Sequence, residues 1–140
     1  MTDVSTAAVP RGTGAADGPR VLLYSDDRSV REQVRLAVGP RLRAHAAPID
    51  WAEVATPAAV VAAVDRAGWD LLVLDGEADK AGGMGLARQL KNEIYECPPI
   101  LVLTGRAQDA WLASWSLADA VVPRPLDALE LQRAVAALLS

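Results

Sequence analysis

Three runs of consecutive apolar residues, Val21-Leu22-Leu23-Tyr24, Leu71-Leu72-Val73-Leu74 and Ile100-Leu101-Val102-Leu103, each give way to a polar residue. Short runs rich in leucine and β-branched side chains, with no polar face, read as strands buried inside a sheet. Alanine-rich stretches of helical period separate them, which is the pattern of βαβ units around a parallel sheet. Five strands are expected, at about residues 20–24, 49–55, 70–74, 99–103 and 120–122; the second is the least regular, since it carries Asp50 and Glu53. Helices are expected at about residues 29–38, 57–67, 84–94, 108–117 and 126–139.

Local signals agree with these bounds. Thr56-Pro57 sets a capping hydroxyl before a proline at the first helical position, and Asp127 with Glu130 forms a capping-box pair. Gly39-Pro40 and Gly68 stop the first two helices. Right-handed crossovers then place helices on both faces, giving an α/β fold with a doubly wound, five-stranded parallel sheet of the flavodoxin-like kind. Residues 1–19 hold Pro10, Gly12, Gly14, Gly18 and Pro19 among small residues without an apolar period. They bury too little to offset their ordering entropy, so a disordered tail is expected before a single domain at residues 20–140.

A chain of 140 residues, 51% hydrophobic and 23% charged, suffices for one core and not for two. A net charge of -4 offers no general attraction for phosphate backbones, and no local basic patch interrupts it, which argues against DNA binding. One cysteine, Cys97, and one histidine, His45, can build neither a disulfide framework nor a Cys/His zinc site; both read as structural. No stretch approaches the length of a membrane span or a secretory leader, so a cytoplasmic setting is expected.

Open α/β sheets keep their chemistry at the carboxyl ends of the strands. Asp26 and Asp27 after the first strand, Asp75 after the third and Thr104 after the fourth would meet at one such edge. Asp26 and Asp75 could hold a divalent cation between them, with Thr104 free to bond an added anion. For Asp75 alone, the plainer account is a strand-end aspartate that caps a turn; for Thr104-Gly105 it is a turn and helix cap. Gly82-Gly83-Met84-Gly85 lacks the Lys-Ser/Thr of a phosphate-binding loop and reads as a flexible loop beside Asp75.

Residues 20–140 resemble, as a whole domain, the receiver domain of bacterial two-component response regulators. The resemblance implies that Asp75 is the phosphoryl acceptor, that Asp26 binds Mg²⁺ together with Asp75 and the backbone carbonyl of Glu77, and that Thr104 bonds the phosphoryl oxygens. Arg124-Pro125 stands where the family has Lys-Pro. It further implies signalling as a phosphoprotein that receives its group from a sensor histidine kinase or phosphotransfer protein. A target protein would be bound through the face of the fourth helix, fifth strand and fifth helix. No enzymatic activity beyond self-phosphorylation of Asp75 is implied, and dimerisation is left open.

Several positions depart from the family pattern. Ser25 replaces the first member of the acidic pair, which leaves a weak Mg²⁺ site unless Asp27 substitutes. Arg124 keeps the charge of the usual lysine but brings a planar fork. The usual proline four residues after the acceptor is Asp79, and the switch aromatic of the fifth strand is Val121. These changes resemble the atypical, stand-alone receivers that act by protein contact. A phosphorylation-independent binding module is the alternative, favoured by Ser25, Arg124 and Val121. A flavin or nucleotide carrier ranks below both, because the acidic Ser25-Asp26-Asp27-Arg28 fills the place of its phosphate loop. Trp111 and Trp115 are four apart on the expected fourth helix, beside small residues Ala110, Ser114 and Ala118. Core packing accounts for one of them, and the other is expected to be exposed as an interface anchor with Val121 nearby.

Overall fold

Side chains alternate across a strand, so an uninterrupted apolar run supplies two faces at once. The computed structural model, which describes residues 18–66, 68–77, 83–105 and 115–139, shows this division. Strands β1 (Arg20–Tyr24), β2 (Asp50–Val54), β3 (Leu71–Asp75), β4 (Ile100–Thr104) and β5 (Ala120–Pro123) form one parallel sheet in the order β2-β1-β3-β4-β5. Leu22, Tyr24, Leu72, Leu74, Ile100 and Val102 face helices α2 (Pro57–Val64) and α3 (Gly83–Glu93). Their neighbours Val21, Leu23, Leu71, Val73, Leu101 and Leu103 face α1 (Arg28–Val38) and the C-terminal helix Ala128–Leu139. Both faces are thus covered, as the doubly wound fold requires.

The caps fix where each helix begins. Asp27 accepts from the Ser29 backbone N–H at 2.9 Å, Thr56 from the Ala59 N–H at 3.1 Å, and Asp127 from the N–H groups of Leu129 and Glu130 at 2.9 and 3.2 Å. Asp127 therefore starts the last helix at Ala128, two residues later than its apolar pattern suggests. Helix α2 ends at Val64, short of the expected residue 67; its cap is Asp65, and Gly68, at φ +110°, turns the chain into β3. The first helix stops as expected at Gly39, whose φ is +84°.

Three strands end one residue further on than expected, β3 at Asp75, β4 at Thr104 and β5 at Pro123, and the first two of these shifts matter for the site. Asp70 is occupied in closing the other end of the sheet, where its carboxylate accepts from the Arg20 N–H at 2.8 Å. Pairing then continues to Asp75, opposite Leu103, and β4 continues to Thr104, opposite Pro123. Asp75 and Thr104 are the last residues of their strands, with backbones held by the ladder. At the amino edge, Pro19 flanks β1 and is tied to the start of β2, because its carbonyl accepts from the Asp50 N–H at 2.8 Å. Of the expected tail, residues 1–17 lie outside the described residues. Among the described residues, no helix is long and apolar enough to cross a membrane.

Candidate functional site

Parallel pairing puts the carboxyl ends of β1, β3, β4 and β5 side by side, so Ser25, Asp75, Thr104 and Arg124 converge although they are far apart in sequence. Asp75 is 2% exposed. Its Oδ1 accepts from Arg124 Nη2 at 2.5 Å and from the Glu77 backbone N–H at 2.9 Å, and its Oδ2 accepts from the Ser25 hydroxyl at 2.7 Å. A buried carboxylate is costly unless it is both paired and hydrogen-bonded, and these donors supply both conditions. Arg124 is joined to Pro125 by a cis peptide bond. Its backbone N–H donates to the Thr104 carbonyl at 2.9 Å, and this hydrogen bond holds the β5 end against β4 with the guanidinium on Asp75.

Glycines let the chain close tightly around Asp75. A Cβ on Gly76 would stand 2.6 Å from the Leu103 carbonyl oxygen, and one on Gly83 would stand 2.6 Å from the Asp75 carbonyl oxygen. Gly83, expected in a flexible loop, is instead the first residue of α3. Its missing side chain allows the helix to start directly against the end of β3.

Ser25, noted in the sequence only as the place of an absent carboxylate, is fully buried and bonded at every polar atom. Its N–H donates to Val54, its carbonyl accepts from Arg31 Nη1 at 2.6 Å, and its hydroxyl accepts from the Asp27 N–H at 3.0 Å while donating to Asp75. Arg31 in turn pairs with Glu53 at 3.0 Å, and Arg35 holds the other Glu53 oxygen at 2.7 Å. Partial burial pushes the Glu53 carboxyl up, but hydrogen bonds from Arg35 and Arg31 outweigh it and hold the group below the usual carboxylate range. Any stability that follows is present above the ordinary carboxylate pKa and is lost as pH falls through the lowered one. Arg31 was missed in the sequence, although it shares a helix stripe with Arg35 on the side of α1 next to its buried residues Val30 and Val34.

The acidic residues after β1 have different fates. Asp27 caps α1, accepting from the Ser29 hydroxyl at 2.8 Å as well as from its N–H; these bonds, the hydroxyl one foremost, hold its carboxyl below the usual range. One oxygen is thereby committed to the helix, which disfavours Asp27 as a replacement metal ligand. Asp26 is exposed in the same loop. Among the described residues, no group of three or more His, Cys, Asp or Glu side chains could hold a metal ion. The acidic residues at this edge, Asp26 and Asp75, are consistent with a divalent site that has few protein ligands. Thr104 is fully buried at the end of β4.

The expected interface residues separate. Trp115 is 48% exposed; Arg88 of α3 lies 5.3 Å from its ring centroid and donates to its carbonyl at 2.5 Å. Val121 is half-buried and packs on the α2/α3 side of the sheet, so its side chain contributes more to the core than to a free surface. Trp111, Ala110, Ser114 and Asp79 lie outside the described residues. His45, at φ +69°, is exposed, and Cys97 is partly buried.

No protein-family model matches the sequence. The chain is 53% identical over 120 residues to a response regulatory protein of Mycobacterium tuberculosis, found in two strains, with 86% of this chain and 90% of the relative covered. In fold it is similar to the receiver domain of Francisella response regulator 1452, at a TM-score of 0.72, 18% identity and coverage of 87% and 97% of the two chains. It is equally similar to the chemotaxis response regulator CheY4 of Vibrio cholerae, at a TM-score of 0.72, 18% identity and coverage of 87% and 99%. With a relative of that identity over most of its length and a single receiver-domain fold in its described residues, the chain belongs to the response regulator family.

Proposed function

We propose that the protein is a signalling receiver in which Asp75 accepts a phosphoryl group, from a sensor histidine kinase, a phosphotransfer protein or a small phosphodonor. The observation that carries this reading is the buried Asp75 carboxylate at the sheet's carboxyl edge, with Arg124 on one oxygen and Ser25 on the other. In-line transfer needs a positioned nucleophile and positive charge for the phosphoryl oxygens. Arg124 offers a second guanidinium nitrogen for those oxygens while its first holds Asp75, and the Thr104 hydroxyl lies on the adjoining strand. Asp26, Asp75 and the Glu77 carbonyl would hold a weakly bound Mg²⁺, which supplies charge neutralisation when present. No activity beyond self-phosphorylation follows, and the setting that fits an aspartyl phosphorelay is the cytoplasm. Intact-mass analysis with a small phosphodonor and Mg²⁺ should show one added phosphoryl group on the parent and none on Asp75→Asn. Equal labelling of both chains would remove Asp75 from the acceptor role.

The signal would leave through a target protein bound at the face formed by the residues around Trp115, β5 and the C-terminal helix. Trp115 supports this, because an indole half open to solvent and braced by Arg88 is a rigid apolar anchor of the kind that dominates interfaces. For a target retained by the phosphorylated chain, Trp115→Ala should weaken binding by about 2 kcal/mol and leave phosphorylation of Asp75 unchanged. Unaltered affinity would place the output surface elsewhere. A second reading, constitutive binding without phosphoryl chemistry, draws on the same ion pair: with Arg124 already on Asp75, the unmodified site is closed. Binding of the target with equal strength to the parent before and after incubation with phosphodonor and Mg²⁺ would favour it.

A further inference from the structure

The hydroxyl of Ser25 has only one proton, and its surroundings decide where that proton goes. The Asp27 N–H at 3.0 Å is a donor and must meet an oxygen lone pair, so the Ser25 proton is directed at Asp75 Oδ2, 2.7 Å away. The serine is held in this orientation because its amide and carbonyl are tied to Val54 and Arg31, and Arg31 is anchored by Glu53. Asp75 Oδ1 receives two donors, Arg124 and the Glu77 N–H, whereas Oδ2 receives one among the described residues. A carboxylate oxygen has two in-plane lone pairs, so Oδ1 is saturated and Oδ2 keeps one pair open.

We propose that Ser25 is a positioning residue which presents Asp75 Oδ2 as the attacking oxygen. This rests on the reading of Asp75 as a phosphoryl acceptor and names the group that orients it. In the step, the open pair of Oδ2 forms the new bond to phosphorus of an acyl phosphate or phosphoramidate donor. The bond from phosphorus to the donor breaks, and its electron pair leaves with the donor group. The Ser25 proton stays on its oxygen throughout. The Glu77 N–H holds Oδ1 as the charge on the carboxylate falls, and Arg124 passes from Oδ1 to the phosphoryl oxygens, which leaves one Oδ1 pair for a bound cation. A serine thus occupies a metal-binding acid's place in the family pattern and acts there as a hydrogen-bond donor to the nucleophile itself.

The test follows intact mass over time with acetyl phosphate and Mg²⁺ for parent, Ser25→Ala, Ser25→Thr and Asp75→Asn, with melting curves for each. Ser25→Ala should be phosphorylated at least about tenfold more slowly while remaining folded, and Ser25→Thr, which restores the hydroxyl, should return to within about threefold of the parent. Arg31→Gln frees the Ser25 carbonyl but leaves the hydroxyl in place. It should slow transfer by a smaller factor, and it carries the test if Ser25→Ala does not fold. Equal rates for parent, Ser25→Ala and Arg31→Gln, with Asp75→Asn silent, would overturn the proposal and leave the acceptor assignment standing. Slow transfer in Ser25→Thr to the level of Ser25→Ala would also overturn it, since packing rather than the hydroxyl would then matter. No labelling of the parent, or equal labelling of Asp75→Asn, would overturn the acceptor assignment and this proposal with it.

Discussion

In a chelating buffer, Ser25→Asp should lower the unfolding free energy by about 2–4 kcal/mol, and added Mg²⁺ should return most of the loss. The expectation follows from replacing a donor by an acceptor at a fully buried position. The Ser25 hydroxyl gives Asp75 Oδ2 a proton across 2.7 Å, whereas an aspartate there would set a second anion against the same oxygen in a site with almost no water access. Two carboxylates that share a site cannot both be ionised cheaply. A hard dication reverses the sign, because the new acid would join Asp26 and Asp75 as a third carboxylate. Denaturant unfolding of parent and variant, with chelator and with Mg²⁺, measures both halves. A variant as stable as the parent in chelator would mean that the hydroxyl does not hold Asp75, and an absent Mg²⁺ response would mean that these acids do not converge on a cation.

Removing the resident cation should be nearly as costly. Arg124→Met keeps the aliphatic stem but leaves the Asp75 carboxylate, 2% exposed, without a countercharge; a loss of about 2–3 kcal/mol is expected. The Arg124 side chain is 27% exposed, so its own desolvation is partial and the lower part of the range is the better guide. Adding Asp75→Asn should recover much of that loss, because the buried charge disappears with its partner. The double-mutant cycle should therefore give a coupling energy of more than about 1 kcal/mol. Additive single and double variants would show that the two side chains do not pair in solution. Arg124→Lys separates charge from shape: it restores one cationic contact to Asp75 but not the fork that spans two acceptors. Amide hydrogen exchange over residues 104–105 and 115–126, with and without a phosphoryl mimic, should show a different response for the lysine variant.

Much of this architecture is legible in the sequence because burial on two faces has a distinct signature. The apolar runs around Leu22, Leu72 and Leu101 identify three central strands, and their polar ends locate the functional edge before any coordinate is known. What the pattern omits is the state of the hydrogen bonds. Ser25 reads as a deficit when compared with an acidic pair, but as a donor once its surroundings are fixed, and no periodicity reveals which way a hydroxyl points. Asp27 reads as a spare ligand because a carboxylate beside a candidate metal ligand and a carboxylate capping a helix look alike in one dimension. The glycines near Asp75 read as looseness, whereas Gly83 opens a helix that needs close approach to β3. Arg31 escapes notice because its role depends on a carbonyl six residues earlier and a carboxylate on a neighbouring strand.

The two cores on opposite faces of the sheet have a consequence for how this protein can change over evolutionary time. Leu22 and Leu23 are chain neighbours, yet one answers to α2 and α3 and the other to α1 and the C-terminal helix. The backbone ladder between them is shared, but the packing is not. A volume change on one side is relieved by neighbours on that side, so the two compartments can drift independently while the ladder holds their common rim in place. Asp75, Ser25 and Arg124 sit on that rim. A lineage could therefore remodel one helical wall for a new partner without rebuilding the other wall or disturbing the Asp75 site.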